Sequence, residues 1–426
     1  MQLPQMPHFS HKQILHGTVA AFIRWLFLAV LVGSIGGLAV SVLRAVLEWA
    51  TLTRMAHGWL ILLLPIGGIF SALMYRHAHN NDIKRGNDMV LAAIREEKEV
   101  PAITAPLIFV AATITHLLGG SVGRVGASIQ LSGSLASLFS RLFHFDQDDR
   151  HVFIMSGVAG GLGAVFGAPI SAAIFVLEVV SVGEMCYAAL IPCIVAALTG
   201  YEMSLLLHQP PMFHAIPQLS TQPQTFLSVI GLGVLVALVA IAYCRAIKET
   251  TAFLYTRIPN SVYRIMLGGS IIVLLTVLLG HTRYNGGGTA YLMQALSGQA
   301  EWYDFILKLI FTAITLGAGY KGGEIAPAFF VGATFGCVVG PLLGLSADAA
   351  AALAMIGLFC GITNCPLASI MLGVEVFGGS GIMHYALVCS TAYMLSGYYS
   401  LYGEQQFIFA KTKALHLEHP EAPEQE

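Results

Sequence analysis

The residues of this sequence best suited to chemistry form a glycine-rich stretch, Gly119–Ser128, which reads GGSVGRVGAS. Apolar segments precede and follow it, at Ala102–Leu118 and Ile129–Leu142. A glycine-rich loop that opens a helix presents free backbone N–H groups and the positive end of the helix dipole, and both favour an anion. Non-helical backbone at membrane depth is tolerated only around a cavity or inside protein. The stretch therefore predicts an anion site within a membrane protein.

The composition is that of an integral membrane protein. Hydrophobic residues make up 56% of the chain and charged residues only 10%, against about 25% charged in a soluble domain. The long uncharged runs are Trp25–Leu43, Ala102–Gly123, His151–Leu177, Ile325–Ala347 and Val376–Gly403. Each is near or above the roughly 20 residues that a helix needs to cross a bilayer, whereas barrel strands alternate over about 10. We therefore expect an all-α polytopic membrane protein.

The charges flanking these runs predict how the chain is oriented. The first apolar segment is long and has no small-residue cleavage site at its end, so no cleaved signal is expected. Basic residues cluster at Arg76–Arg85, at Arg245–Arg264, and at Lys411 and Lys413, and such clusters mark cytoplasmic faces. We expect a multi-pass protein of the cell (inner) membrane with both termini in the cytoplasm. Seven cysteines without CxxC spacing predict no metal site, and no cofactor is expected.

Two halves of the chain resemble each other. The matching segments are PISAAIFVLEV (Pro169–Val179) with PLASIMLGVEV (Pro366–Val376), and GRVGASIQLSG (Gly123–Gly133) with GEIAPAFFVGA (Gly323–Ala333). Chance similarity among apolar helices is the alternative, but two motifs in one order and nearly one register favour a duplication. Short, interrupted hydrophobic segments in matching places of two halves indicate a transport site. Glu178 and Glu375 occupy equivalent positions near helix ends, where a structural hydrogen-bonding role is favoured over transport.

The expected organisation follows from these repeats. It comprises a cytoplasmic N-terminus (1–17), a first membrane repeat (18–255), a second membrane repeat (256–402), and a cytoplasmic C-terminal helix and tail (403–426). Gly and Pro break the helices inside the membrane, at Gly119–Gly126, Gly167–Pro169, Gly322–Pro327 and Asn364–Pro366. Inversion of one repeat would bring the broken helices to a common site at the midplane.

Three motifs connect this chain with a known family. They are GNDMV (Gly86–Val90), GRVGA (Gly123–Ala127) and GGEIAPAFF (Gly322–Phe330). Together they resemble the anion-binding motifs of the CLC family of anion channels and transporters, and the resemblance covers essentially the whole membrane chain. It implies about eighteen helices of uneven length in two inverted repeats, and a homodimer with one pore per subunit. It also implies that an anion is held where broken helices present their N-termini at mid-membrane.

In the first motif, Asn87 takes the place where most CLC members have serine, as in the fluoride-exporting branch of the family. A carboxamide offers two N–H donors where a hydroxyl offers one. Fluoride is small and strongly hydrated, so it loses more on dehydration than chloride and needs more donors in compensation. The alternative is that Asn87 caps its helix and binds no ligand.

In the second motif, Val125 stands where the family has a glutamate. In the family that carboxylate occupies the anion site, leaves it on protonation, and so gates or couples the flow. Valine has neither a charge nor an exchangeable proton, so the resemblance implies that this gate is missing. The alternative is that Val125 is an ordinary helix residue facing lipid or the core.

In the third motif, Glu324 matches a glutamate of the fluoride branch. It begins a helix, where the dipole stabilises a carboxylate. It is a candidate for lining the anion route, where it would repel, gate or accept a proton; the alternative is an ordinary acidic N-terminal residue.

Phe407 replaces the tyrosine that in the family meets the inner anion, and Tyr402 is displaced from that place. Val179 replaces the inner glutamate of proton-coupled chloride members.

The resemblance therefore implies a CLC-type permease that moves fluoride out of the cytoplasm, weakly coupled or uncoupled to protons. The alternatives are a fluoride/proton antiporter that uses Glu324, and an open chloride channel. The expected anion-binding residues are Gly86, Asn87, Asp88, Met89, Gly123, Arg124, Val125, Gly126, Gly323, Glu324, Ile325 and Phe407. The expected partners are fluoride, chloride, protons, the lipid bilayer and a second subunit, and no nucleic acid. No HExxH, nucleophile or paired-aspartate motif indicates an enzyme.

Overall fold

A computed structural model describes residues 11–78, 86–95, 99–209, 211, 219–413 and 415–417. Within them the chain forms sixteen α-helices of very uneven length. The first eight are α1 (His11–Ala56), α2 (Leu64–His77), α3 (Asn87–Arg95), α4 (Thr104–Leu117), α5 (Val125–Leu142), α6 (Gln147–Phe166), α7 (Pro169–Val179) and α8 (Leu190–Leu206). The second eight are α9 (Pro223–Arg257), α10 (Ser261–Leu279), α11 (Thr289–Leu296), α12 (Asp304–Ala318), α13 (Ile325–Val339), α14 (Ala347–Thr363), α15 (Pro366–Phe377) and α16 (Ile382–Leu395).

Short elements connect these helices. They are 3₁₀ segments at Gly58–Leu63, Tyr187–Ala189, Gly340–Leu343 and Gly379–Gly381, and two strands, β1 (Ser181–Val182) and β2 (Gln406–Phe407). Six of the described helical segments are long and apolar enough to cross a bilayer, and several others are too short to cross alone. The predicted all-α membrane architecture with helices of mixed length is confirmed.

The helices form two sets with the same internal packing. In the first set, α1 packs on α6 and α8, and α5 packs on α6; in the second, α9 packs on α14 and α16, and α13 packs on α14. Because α9 takes the place of α1, the boundary between the sets lies between Leu206 and Pro223. It therefore lies earlier than the expected boundary after residue 255, which placed α9 in the first repeat.

The two sets are inverted relative to each other, as α7 and α15 show. Glu178, near the end of α7, accepts hydrogen bonds from the backbone N–H groups of Leu367 (3.0 Å) and Ala368 (2.8 Å) at the start of α15. In return, Glu375 near the end of α15 accepts from the N–H groups at the start of α7, from Ile170 at 2.9 Å and Ser171 at 2.7 Å. The equivalent helices thus run antiparallel, and each carboxylate caps the other helix.

These reciprocal caps yield a stability prediction. We expect Glu178→Ala to lower the free energy of unfolding by about 1–3 kcal/mol, because it leaves two backbone N–H groups of α15 without an acceptor. Thermal unfolding in detergent would measure the change. Glu184→Ala, at an exposed position, is the matched control, and an equal loss in both variants would contradict the capping role.

Helix breaks lie where Gly and Pro predict them. Gly167 ends α6 and Asn364 ends α14, both in the left-handed conformation with φ of 66° and 59°. Glycine adopts this conformation freely, and asparagine tolerates it better than most residues. Pro169 and Pro366 then occupy the first positions of α7 and α15, where a missing N–H costs nothing. The two halves therefore use the same stop and start signals.

The glycine-rich run 157–167 allows close helix packing. A Cβ atom on Gly160 would lie 2.7 Å from the Cα of Gly33 on α1, and Gly200 of α8 contacts the same segment. The small residues let the backbones of α1, α6 and α8 touch, a packing mode common among membrane helices.

The expected C-terminal helix is absent from the described residues after 403. Gln406–Phe407 instead forms β2, which pairs in parallel with Ser181–Val182. Gln405 donates to the carbonyls of Val179 (2.9 Å) and Thr363 (2.7 Å), which are free because their helices end there. Lys411 donates to the carbonyl of Tyr393 in α16. These bonds stabilise an extended segment that pairs with the ends of α7, α14 and α16. They therefore disfavour a separate C-terminal helix.

Some expectations fall outside the described residues. They concern residues 1–10, residues 79–85 of the first basic cluster, and the tail 418–426. Residues 11–17, which were expected to belong to a cytoplasmic N-terminus, form the start of α1.

Candidate functional site

The starts of α5 and α13 meet at the junction of the two helix sets. The backbone N–H of Gly123 donates to the carbonyl of Gly323, and the N–H of Gly323 donates to the carbonyl of Gly123, both at 2.6 Å. These two glycines are equivalent in the repeats, and α5 and α13 begin two residues after them at Val125 and Ile325. The positive ends of two helices are thereby brought together, which is the arrangement that the glycine motifs predicted.

Asn87, the first residue of α3, links this junction to a third helix. Its Nδ2 donates to Oε1 of Glu324 at 2.9 Å, and its Oδ1 accepts from Nε2 of Gln130 at 3.0 Å. Asn87 is 8% exposed. Its side chain bonds to two other helices and not to the backbone of α3, which disfavours the alternative that it serves only as a helix cap.

Gly126 is required by this arrangement. A Cβ atom on Gly126 would lie 2.8 Å from Nδ2 of Asn87 and 2.9 Å from the Cα of Gly323. Any side chain there would displace the Asn87 amide or part the two helix starts. The second glycine of the GRVGA motif therefore makes room for the amide.

A cavity of about 180 Å³ opens beside Asn87. It is lined by Gly86, Asn87, Asp88, Gln130, Ile247, Leu316, Tyr320, Lys321, Gly322, Glu324, Leu401 and Tyr402. Asn87 and Tyr402 also line a small apolar gap of about 10 Å³, together with Val179 and residues of α3, α5, α6 and α7. A gap of that size holds about one water molecule. Asn87 and Tyr402 thus stand between the open cavity and the interior.

Glu324 presents a carboxylate to Asn87 in this cavity. Its side chain is half-buried, and its backbone carbonyl accepts a hydrogen bond from the Tyr243 hydroxyl at 2.7 Å. The Asn87 bond holds one carboxylate oxygen. Lys321 lies three residues earlier, lines the same cavity, and places its Nζ 4.6 Å from the ring centroid of Tyr75. Among the described residues that line the cavity, Lys321 therefore supplies the cationic side chain.

Several predicted site residues do not line the cavity. Met89, Val125 and Ile325 are 3%, 3% and 0% exposed and pack in the main hydrophobic core. Arg124 is half-buried ahead of α5. These positions shape the helix starts without a described side-chain contact to the cavity.

Asp88 lines the cavity but is engaged elsewhere. Its Oδ1 accepts from the backbone N–H of Gly403 at 2.9 Å. The carboxylate thus ties the start of α3 to the chain that follows α16.

Phe407 was expected to meet the anion and does not reach the cavity. It is fully buried, with its ring centroid 5.1 Å from that of Tyr398 and 5.7 Å from Nζ of Lys411. Tyr402 lines the cavity in its place. It is 3% exposed, and its hydroxyl has no hydrogen-bond partner among the described residues. The extended course of 403–407 carries Phe407 away, because it lacks the helix that the family register assumes.

Two cavity residues had no clear signal in the sequence. Gln130 lies within the quoted repeat segment GRVGASIQLSG, seven residues after Gly123, but its spacing is that of an ordinary helix residue. Lys321 lies immediately before the GGEIAPAFF motif. Gln130 carries the general sign of a polar residue within a membrane helix, whereas Lys321 lies in the connection between α12 and α13.

The inverted helix sets and the anion-suited junction define a class of membrane protein, the CLC-type channels and transporters. The sequence pattern of the family described as "Voltage gated chloride channel" matches residues 67–397, and the chain belongs to this CLC family. Members of the family move halide anions and are channels or transporters. The family membership inferred from the three motifs is confirmed.

Individual relatives agree with this assignment. The chain is 32% identical over 391 residues to the "Chloride/fluoride channel protein" of Pseudomonas syringae pv. tomato, with 90% of this chain and 86% of the relative covered. It is 30% identical to the crystal structure of a CLC-type fluoride/proton antiporter, with a TM-score of 0.88 over 94% of this chain and 100% of the other. A slow cyanobacterial Cl-/H+ antiporter shares the fold at 19% identity, with a TM-score of 0.76 over 88% and 94%.

Proposed function

We propose that the protein moves fluoride out of the cytoplasm through the cavity beside Asn87. The observation that carries the proposal is the Asn87 amide, held at the starts of α3 and α13 in a cavity that Lys321 and Tyr402 also line. These groups supply N–H and O–H donors and positive charge, which compensate a small anion for its lost water. The fluoride-related names of two relatives support the choice of anion.

The transport is weakly coupled or uncoupled to protons. Position 125 carries valine, which packs in the core at 3% exposure and holds no exchangeable proton. A negative cell interior drives an anion outward without any coupling ion. The permease therefore lowers cytoplasmic fluoride by following the membrane potential.

Efflux from liposomes tests the proposal. Purified protein is reconstituted in vesicles loaded with fluoride or chloride, and efflux is followed with ion-selective electrodes with and without a pH gradient. We expect fluoride to leave faster than chloride, and a pH gradient to leave the rate nearly unchanged. Equal or faster chloride efflux would favour an open chloride channel, and proton movement driven by a fluoride gradient would overturn the uncoupled mechanism.

A second candidate function is fluoride/proton antiport with Glu324 as the proton carrier. It is favoured by the position of Glu324 on the cavity, in hydrogen-bond contact with Asn87 at 2.9 Å. A carboxylate at that place can take up a proton from the cavity and release it again as anions pass. Proton movement in the liposome assay separates this function from the uncoupled one.

We expect Glu324→Gln to leave fluoride efflux at or above the rate of the unmodified protein. Glutamine retains an oxygen for Asn87 Nδ2 and removes a negative charge that repels the anion. Any proton movement would disappear in this variant. Glu301→Gln, at an exposed position, is the matched control. A tenfold or greater loss of fluoride efflux in Glu324→Gln alone would show that the charge itself is needed.

The assembly and location complete the proposal. The helices α7, α8, α15 and α16 expose large apolar residues, among them Ile170, Ile191, Leu198, Leu367 and Met383. Such faces suit a contact with a second subunit within the membrane. We place the protein in the cell (inner) membrane as a homodimer with one pore per subunit and both termini in the cytoplasm.

A further inference from the structure

Gln130 makes a hydrogen bond that determines which way the Asn87 amide faces. It lies on α5, is 3% exposed, and donates from Nε2 to Oδ1 of Asn87 at 3.0 Å. That bond occupies the acceptor atom of the amide. Both donors of Asn87 Nδ2 must then point away from Gln130; one bonds to Glu324, which leaves the other for a ligand in the cavity that Asn87 lines.

The three side chains form a hydrogen-bond chain with one direction. Gln130 donates to Asn87, and Asn87 donates to Glu324. An ionised carboxylate only accepts, so it fixes the direction at one end. Reversing either amide, or both together, would set two oxygen acceptors against each other, so the carboxylate fixes the orientation of both amides.

The Gln130 end of this hydrogen-bond chain lacks a donor. Oε1 of Gln130 is buried and accepts from no donor among the described residues. A buried acceptor without a donor costs about 1–3 kcal/mol. An apolar side chain of the same length would avoid this cost but would leave Oδ1 of Asn87 without its donor, so the glutamine serves the Asn87 amide. Its Oε1 suits a donor that enters with the cavity contents, such as a water molecule that accompanies the anion.

We infer that Gln130 is a positioning residue for anion selectivity, acting through Asn87. It holds the amide so that an N–H group faces the anion and the carbonyl oxygen faces away. Without it, only the bond to Glu324 holds the amide, so whenever Glu324 rotates away or takes up a proton the amide can turn its oxygen toward the cavity, where it repels an anion. This inference rests on the proposed function, since it assigns Asn87 to the anion.

Gln130→Met tests the inference, because methionine keeps the length of the side chain and removes both polar atoms. We expect the ratio of fluoride to chloride efflux to fall about tenfold, the effect of one lost hydrogen bond. Thermal stability should change little, since the variant removes one unsatisfied buried acceptor, Oε1 of Gln130, and leaves another, Oδ1 of Asn87. Ser132→Ala is the matched control on α5, because Ser132 is buried and, among the described residues, its hydroxyl bonds only within its own helix, to the carbonyl of Ser128.

A double-mutant cycle separates positioning from a general effect of the substitution. A serine hydroxyl at position 87 can rotate to donate to the anion with or without Gln130. Gln130→Met should therefore change the ratio of fluoride to chloride efflux less than twofold in an Asn87→Ser background. An unchanged ratio in the single variant, or an equal fall in both backgrounds, would overturn the inference. If Gln130→Met does not fold, Gln130→Asn serves instead, because its amide is one methylene too short to reach Asn87.

The proposed function and this inference fail in distinguishable ways. If the unmodified protein moves chloride as fast as fluoride, the proposed function fails. In that case the double-mutant cycle still tests the role of Gln130. Coupling between the substitutions at positions 87 and 130 would support that role, whichever anion is preferred. If fluoride is preferred and the cycle shows no coupling, the inference fails alone.

Discussion

Replacing Asn87 by aspartate should lower the rate of fluoride efflux from proteoliposomes by about a hundredfold. The change is isosteric, but it substitutes a carboxylate for the amide that donates to Glu324 at 2.9 Å. Two carboxylates at that distance repel each other and any anion in the cavity, and both N–H donors are lost. Leaving a charged group without its hydrogen-bond partner costs up to about 3 kcal/mol, which corresponds to roughly two orders of magnitude in rate.

The control for this prediction is the same substitution at a cap. Asn260 precedes α10, and its Oδ1 accepts from the N–H of Val262 at 3.0 Å. Aspartate caps helices as well as asparagine does, so Asn260→Asp should fold and transport like the unmodified protein. Efflux of Asn87→Asp within threefold of that control would show that Asn87 is not part of the anion route.

Replacing Val125 by glutamate should couple fluoride flow to protons. Val125 begins α5 at the position that the motif resemblance assigns to the family's titratable gate, and a carboxylate at a helix start is stabilised by the dipole. We expect a fluoride gradient to drive proton movement in Val125→Glu, and passive fluoride efflux to fall at least tenfold, because the side chain occupies the anion position until it is protonated. A pH-sensitive dye in the vesicle medium measures the protons.

Val125→Gln separates the proton from the shape of the side chain. Glutamine is of nearly equal size but carries no exchangeable acid proton, so it should slow efflux without coupling it. Proton movement in neither variant, with fluoride efflux unchanged in both, would place position 125 off the route. Size-exclusion profiles of both variants verify that a polar residue at this buried position leaves the protein folded.

Local signals in the sequence predicted the helices and their breaks. Gly167 and Asn364 end helices in the left-handed conformation, and Pro169 and Pro366 begin the next ones. These are short-range preferences of the backbone, so they can be recognised without any knowledge of the fold. The pairing of the two halves followed from the same motifs.

What the sequence could not provide were contacts between residues far apart in the chain. Asn87 and Glu324 were both selected as site residues, but their contact spans 237 positions. The bond from Gln130 to Asn87 has no local signature either, because its donor lies in the middle of an apolar helix. The start of the second helix set at α9 became clear only from packing, since a long apolar helix at that place suits either half.

Tyr402, and not Phe407 as the alignment with the family motif predicted, is the aromatic residue of this segment that lines the cavity. The register placed Phe407 at the anion because it assumed a helix after the last span. The strand at Gln406–Phe407 pairs with Ser181–Val182 instead, so Phe407 packs on Tyr398 and Tyr402 lines the cavity. Because a strand replaces the expected helix, the aromatic residue that lines the cavity is at position 402, five positions before the predicted one.

The paired glycines at the junction limit how this protein can change shape. Many transporters built from inverted repeats expose a central site to each side in turn by rocking one repeat against the other. Here the pivot of such a motion would pass between Gly123 and Gly323, whose two mutual backbone bonds of 2.6 Å would both break. The two repeats are also joined by the reciprocal hydrogen bonds of Glu178 and Glu375. We therefore expect the two repeats to move as one rigid frame, with access to the site changing by rotation of single side chains such as Glu324 and Tyr402.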